Sequence, residues 1–327
     1  MLLLSREDVE SVLTMKDAIG AVEEAFRQYS LGNVRMPVRV SVAVERHGGQ
    51  MLTMPAYVGG EMSALGQKVV TVYPENPTRH NVPTVLATVQ LLNPETGECL
   101  ALMDGTYLTA MRTGAAGGIA AKYLARKDSR SVGLFGAGVQ AGTQLEAVTE
   151  VRKIEVAKVF DIMTERANQF CERMSKKLNI DARPAKTPEE TVRGSDIIIC
   201  ASTSRTPVFR GEWLQGGMHI TAIGAYTPDT RELDTTTVRR SKVVVDSREA
   251  AFKEAGDLLI PIAEKAFSPE HIWAELGEVV AGKKEGRASD QEITLFKSLG
   301  LALQDVSTAL VTYKKAMERS KGTVVKI

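Results

Sequence analysis

Apolar positions follow one helical face near the start of the chain, then short β-rich runs, then an alternation of strands and helices. Ser5-x-x-Asp8 and Thr14-x-x-Asp17 are capping boxes that open two helices. After the second, Ala18, Val22, Ala25, Phe26 and Tyr29 share one helical face, which Gly32 ends. From Met36 to about Met103 the pattern is of strands: Val38 to Val44, Met51 to Met54, Leu65 to Tyr73 and Thr84 to Leu92. Pro37, Pro55, Pro74, Pro77, Pro83 and Pro94 punctuate them, and Asn93-Pro-Glu-Thr-Gly97 is a hairpin turn. This part reads as α+β.

From about residue 113 to 290, continuous apolar runs at 132–135, 156–161, 196–200, 218–223 and 242–245 alternate with helical stretches. That is the pattern of a parallel sheet buried on both faces. Thr187-Pro-Glu-Glu190 opens one of the helices. Thr109 to Arg126 reads as a helix joining the two regions. In the tail, Phe296, Leu299, Leu303, Val306, Leu310, Tyr313 and Met317 form a stripe spaced by three and four, so Ile293 to Met317 is expected to be helical.

At 327 residues the chain is long enough for two cores. A net charge of +1 points to no nucleic-acid or anionic-membrane surface. No apolar run approaches the roughly 20 residues of a membrane span, and Met-Leu-Leu-Leu-Ser-Arg-Glu-Asp is too short and too soon acidic for a signal peptide. Cys99, Cys171 and Cys200 cannot all pair and lack C-x-x-C spacing, so reduced thiols in a cytoplasmic protein are expected. The four histidines lack metal-ligand spacing, and no metal is expected.

Residues 130 to 141, Arg-Ser-Val-Gly-Leu-Phe-Gly-Ala-Gly-Val-Gln-Ala, carry the most specific chemistry. A strand ends at Phe135. Gly136 then permits a sharp bend, Gly138 lets a pyrophosphate approach the backbone, and Ala141 lets the helix pack close to the strand. The helix N-terminus offers free N–H groups and a positive dipole end. The next strand, Val156-Ala-Lys-Val-Phe, leads to Asp161, whose carboxylate can accept hydrogen bonds from the adenosine ribose. The fold expected is therefore α/β, a Rossmann-type dinucleotide-binding domain beside an α+β domain. A carboxylate at position 161 repels a 2′-phosphate, which favours NAD over NADP.

Outside that motif, Lys68 lies in the β-run Gln-Lys-Val-Val-Thr-Val. It is either an edge-strand lysine with its head in water or a desolvated amine with a lowered pKa. Arg39, among valines, is equally open between a surface role and a carboxylate clamp. Arg112 stands alone among small residues in Thr109-Ala-Met-Arg-Thr-Gly-Ala-Ala-Gly-Gly, where close ligand approach and tight helix packing both explain the pattern. Ala201-Ser-Thr-Ser204 and Gly224-Ala-Tyr-Thr-Pro-Asp-Thr-Arg-Glu-Leu233 follow strands, at the ends where α/β folds bind ligands. Ser204, Thr227 and Asp229 are by default turn formers.

Met111-Arg-Thr-Gly-Ala, Gly136-Ala-Gly-Val-Gln-Ala, Pro228-Asp-Thr-Arg-Glu-Leu and Glu292-Ile-Thr-Leu-Phe-Lys-Ser-Leu-Gly, in this order, resemble the ornithine cyclodeaminase/μ-crystallin family over essentially the whole chain. The resemblance implies a homodimer. It implies a substrate-binding and dimerisation domain from residues 1–115 with 303–327, around an NAD-binding domain from 116–302. Carried over by position, Arg39 is the carboxylate-binding arginine, Lys68 the active-site lysine, and Leu299 a substrate-side residue. Thr84, Arg112, Gly136, Gly138, Val139, Gln140, Asp161, Ser202, Thr203, Ile223, Gly224, Ala225 and Ser298 fall at cofactor contacts.

Two positions depart from the cyclodeaminases. Leu52 stands where they carry a glutamate; Tyr226 stands where they, and the alanine dehydrogenases of the family, carry an aspartate, with Asp229 three residues on in the Pro-Asp-x-Arg-Glu-Leu form of μ-crystallin-like members. Acid–base work then rests mainly on Lys68, with Tyr226 and Asp229 as helpers. The activity implied is an NAD(P)H-dependent oxidoreductase of a small α-imino or α-amino acid. It is of the alanine dehydrogenase or cyclic ketimine (pyrroline-2-carboxylate) reductase kind, with hydride transfer at the α-carbon. An ornithine cyclodeaminase-type lyase using NAD catalytically and a non-catalytic, dinucleotide-bound ligand-binding protein remain as alternatives.

Overall fold

A computed structural model describes residues 1–326. The chain forms two compact units: Met1–Thr113 together with the chain from Leu301 onward, and Gly114–Gly300. The strands in chain order are β1 (Leu2–Leu4), β2 (Val34–Arg35), β3 (Val40–Val44), β4 (Gly49–Val58), β5 (Ala64–Val72), β6 (Val85–Leu92), β7 (Cys99–Asp104), β8 (Ser131–Phe135), β9 (Val156–Phe160), β10 (Asp181–Pro184), β11 (Ile197–Cys200), β12 (His219–Ala222), β13 (Lys242–Val245), β14 (Ile272–Glu275) and β15 (Thr294–Lys297).

In the first unit a mostly antiparallel sheet runs Thr323–Val324, β1, β7, β6, β5, β4, β2, with β3 also paired to β4. Both capping boxes form, at Ser5 and at Thr14, and open the helices Arg6–Val12 and Met15–Ser30. The helix Ala302–Glu318 packs on the helix Met15–Ser30 and on β4, β5 and β6. Register decides which side chains lie under it. Met54, Lys68, Val89 and Met103 lie across from one another, as do Leu52, Val70 and Ala87 in the next row but one. All of these are buried. The opposite face carries Val42, Met51, Thr71 and Leu86 in one cross-strand row, with Val42 and Leu86 exposed. Gly66 shows how closely the helix approaches: a Cβ there would lie 3.3 Å from Val306 and 2.4 Å from the Gln90 carbonyl.

The second unit holds an eight-stranded, wholly parallel sheet in the order β10-β9-β8-β11-β12-β15-β13-β14. Its first five members give the Rossmann order, with the switch point between β8 and β11. The strands at the middle of the sheet are the most buried, β11, β12 and β15 being buried at every position, as a sheet covered on both faces requires.

One expectation fails. Residues 293 to 301 are not helical: Thr294–Lys297 is the strand β15, between β12 and β13, and the helix begins only at Ala302. Phe296 and Leu299 therefore leave the stripe. A four-residue strand, Thr-Leu-Phe-Lys, is too short for periodicity to separate it from buried helix. Gly300, at φ 82°, breaks the path between the two elements.

Candidate active site

In the second unit the glycine turn has the geometry that its residues require. Gly136 takes φ 97°, and a Cβ on it would stand 2.5 Å from the Ala201 carbonyl oxygen. Gly138 is the N-cap of the helix Val139–Val151, makes no side-chain cap, and has open space where a Cβ would project. The first N–H groups of that helix are thus left to an external acceptor. Val139 is 73% exposed, and the Gln140 Oε1 is buried without a hydrogen-bond partner. Asp161 braces the turn: its carboxylate accepts from Ala137 N at 2.9 Å and from Met163 N at 2.9 Å. Gly136→Ala is expected to cost about 1–3 kcal/mol from backbone strain alone, with a further clash against Ala201. Thermal unfolding should show the loss, and an NADH fluorescence titration should show weakened binding.

Beyond the turn, buried carboxylates tie down three strand ends. Glu232 accepts from Ser202 N at 2.7 Å, Ser202 Oγ at 2.6 Å and Gly224 N at 2.6 Å. Burial raises its pKa, while Lys297 and Ser202 work against that rise. Asp246 accepts from Ser298 Oγ at 3.0 Å, Leu299 N at 2.6 Å and Gly300 N at 2.8 Å. The hydroxyls of Ser202 and Ser298 are therefore engaged within the protein. Thr203 is exposed, Ile223 and Gly224 are half-buried and Ala225 is buried. Tyr226 is 40% exposed. Asp229 is exposed and paired with Arg205. A hydrogen bond from Thr227 is the largest of the effects holding its carboxyl below the usual range. His219 is neutral: burial pushes its pKa down to about 3, and Thr294 and Thr221 engage both ring nitrogens.

In the first unit, Lys68 is 1% exposed and lies within 2.9 Å of Asp305 Oδ1. Arg112 Nε stands 3.0 Å from the same oxygen, and Arg112 Nη1 donates to Gln304 Oε1 at 2.6 Å. Two buried cations thus share one carboxylate. Burial, foremost, and repulsion from Arg112 and Arg39 lower the Lys68 pKa to about 7, against the attraction of Asp305. Asp305 Oδ2 and Gln304 Nε2 are buried with no protein hydrogen-bond partner, which leaves an acceptor and a donor unused beside the lysine. Arg39 and Thr84 are half-buried. A lysine that titrates near neutrality, on a face otherwise lined by Leu52, Met54 and Val89, can pass a proton and attract an anion.

The profile of the ornithine cyclodeaminase/mu-crystallin family matches residues 1–320. The chain belongs to that family. It is similar to Thermococcus litoralis Delta(1)-pyrroline-2-carboxylate reductase, solved in complex with NADH and L-proline. The two are 51% identical, with a TM-score of 0.96 over 99% of this chain and 100% of the other. An archaeal alanine dehydrogenase dimer with bound NAD is 43% identical, with a TM-score of 0.94 over 100% of this chain and 99% of that one. The alanine dehydrogenase of Archaeoglobus fulgidus is 44% identical over 328 residues, 99% of this chain and 98% of the relative.

In this member of the ornithine cyclodeaminase/mu-crystallin family, sequence reading passed over Asp305, Gln304, Glu232, Asp257, Lys297 and Asp246. A signal existed for Asp305. It lies on the helix face of Ala302, Ala309, Thr312 and Ala316, all buried, where a solvated carboxylate has no place. Lys297 closes the strand Thr294–Lys297, buried at every position, and is itself wholly buried, a charge at the end of a core strand.

Proposed function

We propose that this chain is an NAD-dependent oxidoreductase that interconverts a small α-imino acid and the corresponding α-amino acid, with hydride exchanged at the α-carbon. The observation that carries the reading is the buried Lys68–Asp305–Arg112 cluster, which has one more cation than it has carboxylates. A substrate carboxylate supplies the missing negative charge. Arg39 clamps it, and Lys68 contacts it and exchanges a proton with the substrate nitrogen or a water. Leu52, buried on the face of Lys68, gives a distal ammonium no partner, which disfavours ornithine.

The dinucleotide fits the second unit. Gly138 leaves room for a pyrophosphate, the helix Val139–Val151 presents uncapped N–H groups, and Asp161, just past β9, is the carboxylate that takes the ribose hydroxyls in this reading. When bound, the nicotinamide supplies or accepts the hydride. Asp161 is the reason to prefer NAD to NADP.

A homodimer through the outer sheet face accompanies this reading. Val40 and Val42 are 61% and 48% exposed and Leu86 is 38% exposed, β-sheet surface that a second copy would cover. Sedimentation is expected to give a dimer, and Val42→Lys with Leu86→Lys to give a monomer. A cytoplasmic location belongs to the same proposal. Among the described residues no helix is long and apolar enough to cross a membrane.

The test is the disappearance of NADH and of NADPH with pyruvate plus ammonia, pyrroline-2-carboxylate and piperideine-2-carboxylate. Turnover with NADH on at least one supports the reading. No turnover on any of them, with ammonia released from ornithine and no net NADH consumed, replaces it with the lyase. Binding of NADH without turnover of either kind leaves a ligand-binding protein.

A further inference from the structure

The Pro228–Leu233 motif drew attention through Asp229, yet its wholly buried acid is Glu232. Glu232 ties together the loops that leave two adjacent strands. Oε1 takes both donors of Ser202, just past β11, and Oε2 takes the amide of Gly224, just past β12. The second loop is held from its other side as well. Lys297, the last residue of β15, donates to the Ala225 carbonyl at 2.5 Å and pairs with Asp257 Oδ2 at 2.8 Å. Asp257 Oδ1 in turn accepts from the backbone N–H groups of Glu232 at 2.7 Å and Leu233 at 2.9 Å. All three charged side chains are 0% exposed. The approach is close enough to exclude a side chain: a Cβ on Gly224 would lie 2.2 Å from the Ser202 carbonyl and 2.5 Å from Glu232 Oε2.

Burying three ions is costly, and an apolar core would hold two strands together without them. What an apolar core cannot do is satisfy amides from two loops at one point. A carboxylate does so, because its two oxygens accept independently. The loops so joined lie at the carboxyl ends of β11 and β12, on the side of the switch point away from Asp161. Ligands in open α/β sheets lie at such ends. If the ribose is at Asp161 and the pyrophosphate at Gly138, the nicotinamide half falls on this ledge.

We propose that Glu232 is a positioning residue that locks the 201–204 and 223–226 loops into one preformed ledge for the nicotinamide half of the dinucleotide, with Lys297 as its second anchor. The inference rests on the dinucleotide reading above.

Two variants test it. Glu232→Gln is isosteric but keeps one acceptor oxygen, so it frees one loop. Glu232→Ala frees both. The readout on the unliganded protein is amide hydrogen exchange. Peptides covering 201–204 and 223–226 are expected to exchange about 10- to 100-fold faster, in one loop for Gln and both for Ala, while the 136–142 turn is unchanged. The second readout compares ADP-ribose with NADH by titration. ADP-ribose affinity is expected to hold, and NADH affinity to fall by about 10-fold or more. Unchanged exchange in Glu232→Gln, which should fold even where Glu232→Ala does not, overturns the clamp. Faster exchange with NADH and ADP-ribose weakened equally overturns the positioning role. Wild-type protein that binds neither nucleotide overturns the dinucleotide reading and the ledge's role with it, while exchange still decides whether the clamp exists.

Discussion

Lys68→Ala is expected to lower kcat/KM by about 100- to 10,000-fold, the range for a lost general acid or base, and to leave NADH affinity at its wild-type value. In this reading the pyrophosphate and the ribose are held at Gly136, Gly138 and Asp161, and the substitution touches none of them. The pH dependence gives the claim its sign. With a pKa near 7, Lys68 is a donor below that pH and an acceptor above it. Reduction, which needs the ammonium, should fall as pH rises through about 7, and oxidation, which needs the free amine, should rise through the same pH. The lysine also enters folding. Its unfolded value is 10.5, so between about 7 and 10.5 the unfolded chain binds the extra proton and stability from this group increases with pH. Urea unfolding across that window should show the slope in the wild type and its loss in Lys68→Met. A wild-type kinetic limb far from neutrality in both directions would remove Lys68 from the proton transfer.

Asp305→Asn should be nearly as damaging, for a different reason. It leaves Lys68 and Arg112 buried without their shared carboxylate. Removing one partner of a buried pair costs about 3–5 kcal/mol. Lys68 can relieve part of that by losing its proton, whereas Arg112 cannot. Because Asp305 is what raises the Lys68 pKa, its loss should shift the pH limb of reduction to lower values. A merely structural aspartate would lower the melting temperature and leave that limb in place. Thermal unfolding and the kcat/KM profile of the same variant separate the two.

The parts of this site that were legible in the sequence are those whose cause is local. The strand–turn–helix at 132–141 follows from an apolar run, two glycines and an alanine, each needed where it stands, so the motif reads without knowledge of the rest of the fold. The capping boxes at Ser5 and Thr14 are legible for the same reason. Lys68 is assigned as the active-site lysine only through the family resemblance, because a solvated head and a desolvated amine are both compatible with a lysine in a β-run. What decides between them is Asp305, 237 positions away. β15 was hidden by its length, four residues between flanks that share helical spacing. Asp229 and Glu232 stand three apart in one motif, and composition does not say which is buried. The fold does: Asp229 meets Arg205 on the surface, while the Glu232 backbone is held by Asp257 and its side chain turns inward. Buried charge is satisfied by partners distant in sequence, and periodicity carries no information about them.

The central claim is hydride transfer at an α-carbon, and NADH deuterated at the transferred position tests it most directly. The labelled cofactor would be supplied with pyrroline-2-carboxylate and, separately, with pyruvate and ammonia, and the amino acid formed would be read by mass spectrometry and proton NMR. One deuterium at the α-carbon of proline or alanine, for each NADH consumed, with formation slowed about 100- to 10,000-fold by Lys68→Ala, is the expected result. Absence of any labelled product from either substrate pair, with the NADH recovered intact, would contradict it.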